Sequence, residues 1–156
     1  EEGLSMRAET VVVGYDGSAN ARQALDAAVQ VLDEGGTVHV VTAFDKPSVR
    51  ELNQALSALP EEFRGSIDIL AQPEQYLHEA ELHLREAGVG PDACEGHLVD
   101  DSPADAILEV ADAVEADLII VGSRGLGRVT RFVRGSVSSR IANYATVNLL
   151  IVHEDE

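Results

Sequence analysis

The stretch that decides the fold covers residues 117–139 and reads DLIIVGSRGLGRVTRFVRGSVSS. Its first part, residues 118–121, is wholly apolar and rich in β-branched side chains. That pattern is typical of a parallel strand that is buried on both faces. Gly122, Gly125 and Gly127 follow the strand, and their backbone lacks the Cβ atoms that would keep a ligand at a distance. The stretch therefore predicts a buried strand that ends in a ligand-binding loop.

A helix start follows the glycines and completes a candidate anion site. Ser136, after Gly135, is a favourable N-cap for a helix that we expect to run to about Tyr144. Unpaired amides and the positive end of the helix dipole would converge at this point. Residues 118–153 contain no acid, although the whole chain has a net charge of −17. They contain five arginines, which are Arg124, Arg128, Arg131, Arg134 and Arg140. A phosphate group is the simplest ligand for such a positive segment.

The spacing of the glycines distinguishes this loop from a Walker A loop, which needs a lysine before the helix. The loop contains no lysine and reads Gly122-x2-Gly125-x9-Gly135-Ser136. In this spacing the chain resembles the nucleotide-binding branch of the universal stress protein family. The resemblance extends from TVVVGYDGS at residues 10–18 to the apolar residues 149–152.

The resemblance implies an adenine nucleotide as ligand, and we expect ATP with Mg²⁺ as its counter-ion. It assigns phosphate contacts to Gly122, Gly125, Gly135, Ser136, the amide of Val137, and Ser138. It assigns the position that faces adenine to Ala43. With the sheet order 3-2-1-4-5 that the resemblance also implies, the switch point places Gly14, Tyr15 and Asp16 beside Gly122, and we also expect Val121 in the cleft. Thr42 replaces Ala43 as the residue facing adenine if the strand register is shifted by one. Arg124 and Arg134 adjoin the motif glycines and are the arginines that we expect at the phosphates. Asp16 is the one evident protein ligand for the Mg²⁺ ion of Mg-ATP, and no catalytic residue is expected.

Strands and helices alternate along the chain, which predicts an α/β sandwich with helices on both faces of an open, doubly wound sheet. The predicted strands cover residues 10–15, 37–44, 93–99, 117–122 and 148–153. Predicted helices begin after Ser18 and Ser102, and others lie near residues 49–59, 77–87 and 136–144. Residues 60–73 are expected to form an exposed loop. The resemblance implies a five-stranded parallel sheet of order 3-2-1-4-5.

Chain length and composition narrow the classes of protein. A chain of 156 residues predicts one domain. We expect residues 1–5 to be an addition before a native start at Met6, which leaves 6–156 as the domain. The chain has 28 acids against 11 bases, and Lys46 is the single lysine. This surface suits a high-salt cytoplasm such as that of a halophile, although an ordinary acidic cytoplasmic protein is the alternative. Nucleic acids and anionic membranes would be repelled.

Asp16 has two interpretations. In open parallel sheets ligands bind at the carboxyl ends of strands where the winding reverses, which here places Asp16 beside Gly122. A carboxylate there can accept hydrogen bonds from ribose hydroxyls or from adenine. Alternatively, Asp16 only forms a turn before Ser18, as Asp often does.

The other reactive residue types give weaker signals. The five histidines show no metal-ligand spacing in sequence and are interpreted as structural; they are His39, His78, His83, His97 and His153. Cys94 is the single cysteine, which excludes an internal disulfide and fits a reducing compartment. Ser136 and Ser138 lack the His and Asp partners that a nucleophile needs.

Three functions remain open from the sequence. The first is an ATP-binding, regulatory stress-response module with little or very slow hydrolysis. The second is a slow ATPase or phosphotransfer enzyme that uses the same cleft. The third is a nucleotide-free dimeric scaffold, which two departures from the family's usual residues, Asp101 and Asn148, leave open. In each case we expect a homodimer through the last strand, which contains Leu149, Leu150, Ile151 and Val152.

Overall fold

The computed structural model describes residues 6–45, 49–66, 68–123 and 136–154. Its five strands are β1 (Ala8–Gly14), β2 (Leu32–Phe44), β3 (Cys94–Asp100), β4 (Leu118–Gly122) and β5 (Asn148–Val152). Its α-helices are α1 (Ala19–Val31), α2 (Val49–Ser57), α3 (Ala71–Glu86), α4 (Pro103–Ala113) and α5 (Ser136–Tyr144). Short 3-10 helices cover Glu61–Ser66 and Pro91–Ala93.

The strands form one sheet of order β3-β2-β1-β4-β5, and every neighbouring pair is parallel. This confirms the predicted open, doubly wound fold. β1 is the central strand, and its residue Val12 lies between His39 of β2 and Ile119 of β4. β3 and β5 are the edge strands.

Helices cover both faces of the sheet, as period-two alternation in β1 requires. Val11 and Val13 belong to one apolar cluster with residues of α1 and α3. Val12 belongs to a second cluster with residues of α4 and α5. All three valines are fully buried. The wholly apolar sequence of the central strands is therefore explained by two separate cores, one on each side.

Two element boundaries differ from the sequence predictions. α1 ends at Val31 and β2 begins at Leu32, because Leu32 pairs with Ala8 before the register shifts and Thr37 pairs with Thr10. The Gly-Gly pair, expected to end the helix, lies inside this irregular part of β2, where Gly35 has φ of +85°.

Residues 60–73 are predicted to form a loop, but parts of this stretch are helical. It contains the 3-10 helix Glu61–Ser66 and the first turn of α3. The carboxylate of Asp68 accepts a hydrogen bond from the amide of Leu70 at 3.0 Å, which forms a turn just before α3 begins. Pro73 fits the first turn of that helix because its missing N–H would have had no partner there.

The predicted helix starts at the two serines are confirmed. The hydroxyl of Ser18 accepts a hydrogen bond from the amide of Ala21 at 3.1 Å, and Ser102 occupies the N-cap position before Pro103. In the part of the chain that the structure describes, no helix combines the length and the apolar character needed to cross a bilayer.

Candidate functional site

The winding of the sheet reverses between β1 and β4, and this point defines the candidate site. α1, which follows β1, packs on one face, whereas α4, which leads into β4, packs on the other. In open parallel sheets such a reversal opens a crevice at the carboxyl ends of the strands, and ligands bind there. Gly14 ends β1 and Gly122 ends β4. Both residues were predicted to line the ligand cleft.

Asp16 lies two residues after the end of β1, and its two carboxylate oxygens have different surroundings. Oδ1 accepts a hydrogen bond from the amide of Ser18 at 3.0 Å. Oδ2 is buried and has no hydrogen-bond partner among the described residues. The turn role that the sequence offered as the alternative is therefore present, but it occupies only one oxygen. The other remains available to accept a hydrogen bond from a ligand.

The side chain of Tyr15 points into the core and not into the crevice. It is 1% exposed, and its ring meets that of Tyr76 edge-to-face with centroids 6.4 Å apart. Its hydroxyl lies 3.4 Å from Oε1 of Glu79, and burial raises the pKa of this hydroxyl above its usual value. Tyr15 can therefore contribute only backbone atoms to a site at the end of β1.

Neighbouring residues of β2 form hydrogen bonds with the backbone of Tyr15. The hydroxyl of Thr42 donates to the carbonyl of Tyr15 at 2.9 Å, and the amide of Tyr15 donates to the carbonyl of Val41 at 2.9 Å. Ala43 is the next residue and is only partly buried, packed against the α4 side of the sheet. Of Thr42 and Ala43, the alanine has the more accessible side chain for an adenine ring.

Gly122 is required by packing, independently of any ligand. A Cβ atom at this position would lie 2.6 Å from Oδ1 of Asn20 in α1. The side-chain nitrogen Nδ2 of that asparagine donates to the carbonyl of Val152 at 3.1 Å, and the backbone amide of Ser123 donates to the same carbonyl at 2.9 Å. The preceding residue, Val121, is fully buried. The end of β4 is thus held rigidly between α1 and β5.

α5 begins at the end of the sheet where the carboxyl ends of the strands lie. Its last residues lead into Asn148, which pairs with Leu118 at the amino end of β4. The helix therefore runs from the carboxyl ends of the strands towards their amino ends. Its first residue, Ser136, is exposed, Val137 is partly buried against the α4 side, and Ser138 is buried.

Arg140 belongs to the contact between α4 and α5. Its Nε donates to Oδ1 of Asp105 at 2.9 Å, and its guanidinium carbon lies 5.1 Å from the centroid of the Tyr144 ring. The hydrogen bond from Arg140 lowers the pKa of the Asp105 carboxyl. The acid that pairs with Arg140 lies on another helix, α4. The absence of acids from residues 118–153 therefore did not indicate this pair.

Several predicted phosphate ligands, Arg124, Gly125, Arg134 and Gly135, lie outside the described residues, as do Arg128 and Arg131. They remain predictions. The described residues bring together the ends of β1, β2 and β4, and they leave the side chain of Tyr15 outside this group.

One cluster of potential metal ligands was missed by the sequence interpretation. His39, Glu95 and His97 approach one another on neighbouring strands, away from the crevice. His39 is far from the other two in sequence, so only the pairing of β2 with β3 reveals the group. The one available signal was Glu95-x-His97, which places two ligands on one face of a strand.

The doubly wound α/β architecture with a switch point between β1 and β4 is one that many nucleotide-binding proteins share. More narrowly, this chain belongs to the universal stress protein family, which it matches over residues 8–153. A universal stress protein of Mycobacterium tuberculosis is 30% identical over 145 residues, which cover 93% of this chain and 96% of that protein.

Solved structures show the same fold. A universal stress protein in complex with cAMP is 30% identical, with a TM-score of 0.68 and coverage of 94% of this chain and 98% of that chain. The universal stress protein of Lactobacillus plantarum is 18% identical, with a TM-score of 0.67 and coverage of 95% and 99%. At that identity the second likeness concerns the fold alone.

Proposed function

We propose that this chain is a cytoplasmic, regulatory stress-response module that binds an adenine nucleotide, with ATP and its Mg²⁺ counter-ion as ligand and with little or very slow hydrolysis. The observation that carries the proposal is the buried Oδ2 of Asp16, which has no hydrogen-bond partner among the described residues. It lies at the switch point, where open α/β sheets bind their ligands.

A buried carboxylate oxygen without a partner loses its hydration and gains nothing in return, which is unfavourable. A ribose hydroxyl or the adenine amino group would supply the missing donor. Mg²⁺ accepts carboxylate ligands, so the same oxygen also fits a role beside the ion of Mg-ATP. Both contacts suit a nucleotide that lies across the ends of β1 and β4, with its phosphates towards the start of α5.

The relative in complex with cAMP supports the adenine nucleotide class. Our preference for ATP rests on the glycine spacing and arginines of residues 122–136, which suit a longer phosphate chain than that of cAMP.

Isothermal titration with ATP, ADP, AMP and cAMP, each with and without Mg²⁺, separates these ligands. We expect micromolar binding of ATP. Tighter binding of cAMP would overturn the preference for ATP, and failure of all four nucleotides to bind would overturn the proposal.

Asp16→Asn is expected to weaken nucleotide binding by about tenfold to a hundredfold. The substitution keeps the shape of the side chain but replaces a charged acceptor, whose hydrogen bond contributes roughly 1.5–3 kcal/mol. Titration calorimetry on the variant measures the change. Asp92→Asn is the matched control, because Asp92 is an exposed acid in the short 3-10 helix that precedes β3, at the opposite end of the sheet. Equal affinities in the wild type and Asp16→Asn would remove the carboxylate from the site.

A further inference from the structure

Three potential metal ligands converge on the sheet formed by β2 and β3. Nδ1 of His39 lies 3.0 Å from Nε2 of His97. Oε1 of Glu95 lies 3.2 Å from the first nitrogen and 3.3 Å from the second. The three atoms thus form a nearly equilateral triangle. The side chains of His39, His97 and Glu95 are 11%, 24% and 62% exposed, so the group is reached from solvent on the glutamate side.

The parallel register explains why these residues meet. His39 pairs with Glu95, and the next residue on the same face of β2, Val41, pairs with His97. All of them therefore lie on the face of the sheet that α4 covers. Cys94 precedes Glu95 but packs against the cluster on the opposite face, so its thiol does not belong to the group.

Hydrogen bonds alone satisfy this triangle poorly. A neutral imidazole N–H can donate to the other ring nitrogen, which accounts for one edge. The carboxylate oxygen then faces the lone pair of the accepting ring, and two acceptors in contact repel each other. If both rings donate to the carboxylate instead, their two N–H groups face each other 3.0 Å apart, so neutral rings leave one repulsive edge in either arrangement. A cation placed over the triangle would be attracted by all three lone pairs at once.

The dimensions of the triangle match those of a metal site. Zinc binds imidazole nitrogen and carboxylate oxygen at about 2.0–2.2 Å in tetrahedral geometry, which separates neighbouring ligand atoms by roughly 3.3–3.6 Å. The observed separations of 3.0–3.3 Å need only a small expansion. Two imidazoles and one carboxylate also form a donor set that binds transition metals in preference to magnesium or calcium.

We propose that His39, Glu95 and His97 bind one divalent transition-metal ion of the zinc type, with water in the fourth position. The ion would join the edge strand β3 to β2. It is separate from the nucleotide crevice, because His39 lies five residues before the end of β2, which is about 16 Å along the strand. Metal binding is therefore measured without nucleotide, and its outcome is independent of the proposed nucleotide function.

The test uses the full chain, first treated with a chelator and then titrated with Co²⁺ and Zn²⁺. We expect one equivalent of Co²⁺ to give the strong visible absorption of a tetrahedral complex, and one equivalent of Zn²⁺ to displace it. The chain is so acidic that its other carboxylates would bind divalent cations weakly. A large excess of Mg²⁺ is included to occupy those carboxylates, so that they do not contribute to the Co²⁺ signal. Loss of the Co²⁺ spectrum in Mg²⁺, or no saturable binding at all, would overturn the proposal.

Two variants locate the ion. Glu95→Gln is expected to fold normally because this side chain is 62% exposed, and His97→Gln removes an imidazole. Each should weaken Zn²⁺ binding by about a hundredfold or more, since loss of even an indirect partner of a metal ligand costs 10–100-fold. His78→Gln is the control, because His78 is an exposed histidine on α3. Zinc should also raise the melting temperature of the wild type but not that of Glu95→Gln. Unchanged affinity in both Glu95→Gln and His97→Gln would place the metal elsewhere.

Discussion

Gly17→Ala is expected to lower the free energy of unfolding by about 3–4 kcal/mol, for two reasons that act together. Gly17 has φ of +82°, a conformation that costs an L-residue with a Cβ roughly 1–2 kcal/mol. A Cβ atom there would also lie 2.4 Å from Cε1 of Tyr76, so the buried ring contact with Tyr15 would have to shift. Such overpacking costs about 1–3 kcal/mol more.

Gly35 offers a matched control for this prediction. Its φ is +85°, almost the same as that of Gly17, but a Cβ atom there would meet nothing within 4 Å. Gly35→Ala should therefore show the backbone cost alone, about 1–2 kcal/mol. Urea unfolding of the two variants and the wild type measures the difference. Equal losses in the two variants would show that the contact with Tyr76 has no energetic consequence.

The fold was predictable because its local signals agree with one another. The apolar residues 118–121 indicated a strand buried on both faces, and β4 is buried throughout. Ser18 and Ser102 indicated helix starts that the structure contains. The start of β2 was predicted wrongly because the Gly-Gly pair looked like a helix end. The pairing of Leu32 with Ala8, a long-range contact, extends the strand to an earlier residue.

The candidate site was less predictable, because side-chain direction depends on tertiary packing. Sequence places Tyr15 beside Asp16 but does not show the direction of its side chain, which turns towards α3, where Tyr76 and Glu79 contact it. Gly122 was interpreted as a ligand position, and nothing local showed that α1 needs the same space. The triangle formed by His39, Glu95 and His97 depends on strand register, which sequence spacing does not contain.

The last strand provides the basis for a prediction about assembly. β5 is an edge of the sheet, and its four apolar residues, Leu149, Leu150, Ile151 and Val152, are only partly buried. An open edge of this kind invites pairing with another strand. Pairing with β5 of a second copy about a two-fold axis would cover it, and we therefore expect a homodimer. The acids that follow the strand, beginning at Glu154, repel one another across such an axis, so the dimer should tighten as salt screens them.

Ile151→Lys is expected to convert this dimer into a folded monomer. Ile151 is partly buried within one copy, so each copy would lose part of the roughly 1.5–3 kcal/mol that full burial contributes, and two lysines would face each other across the axis. The combined loss of about 3 kcal/mol or more raises the dimer Kd by roughly a hundredfold or more. Light scattering at micromolar protein, in low and in molar salt, measures the change, and circular dichroism checks that the variant is folded. Leu98→Lys is the control, because Leu98 is a partly exposed residue of the other edge strand, β3. A wild type that stays monomeric in molar salt, or dissociation by Leu98→Lys but not by Ile151→Lys, would contradict assembly through β5.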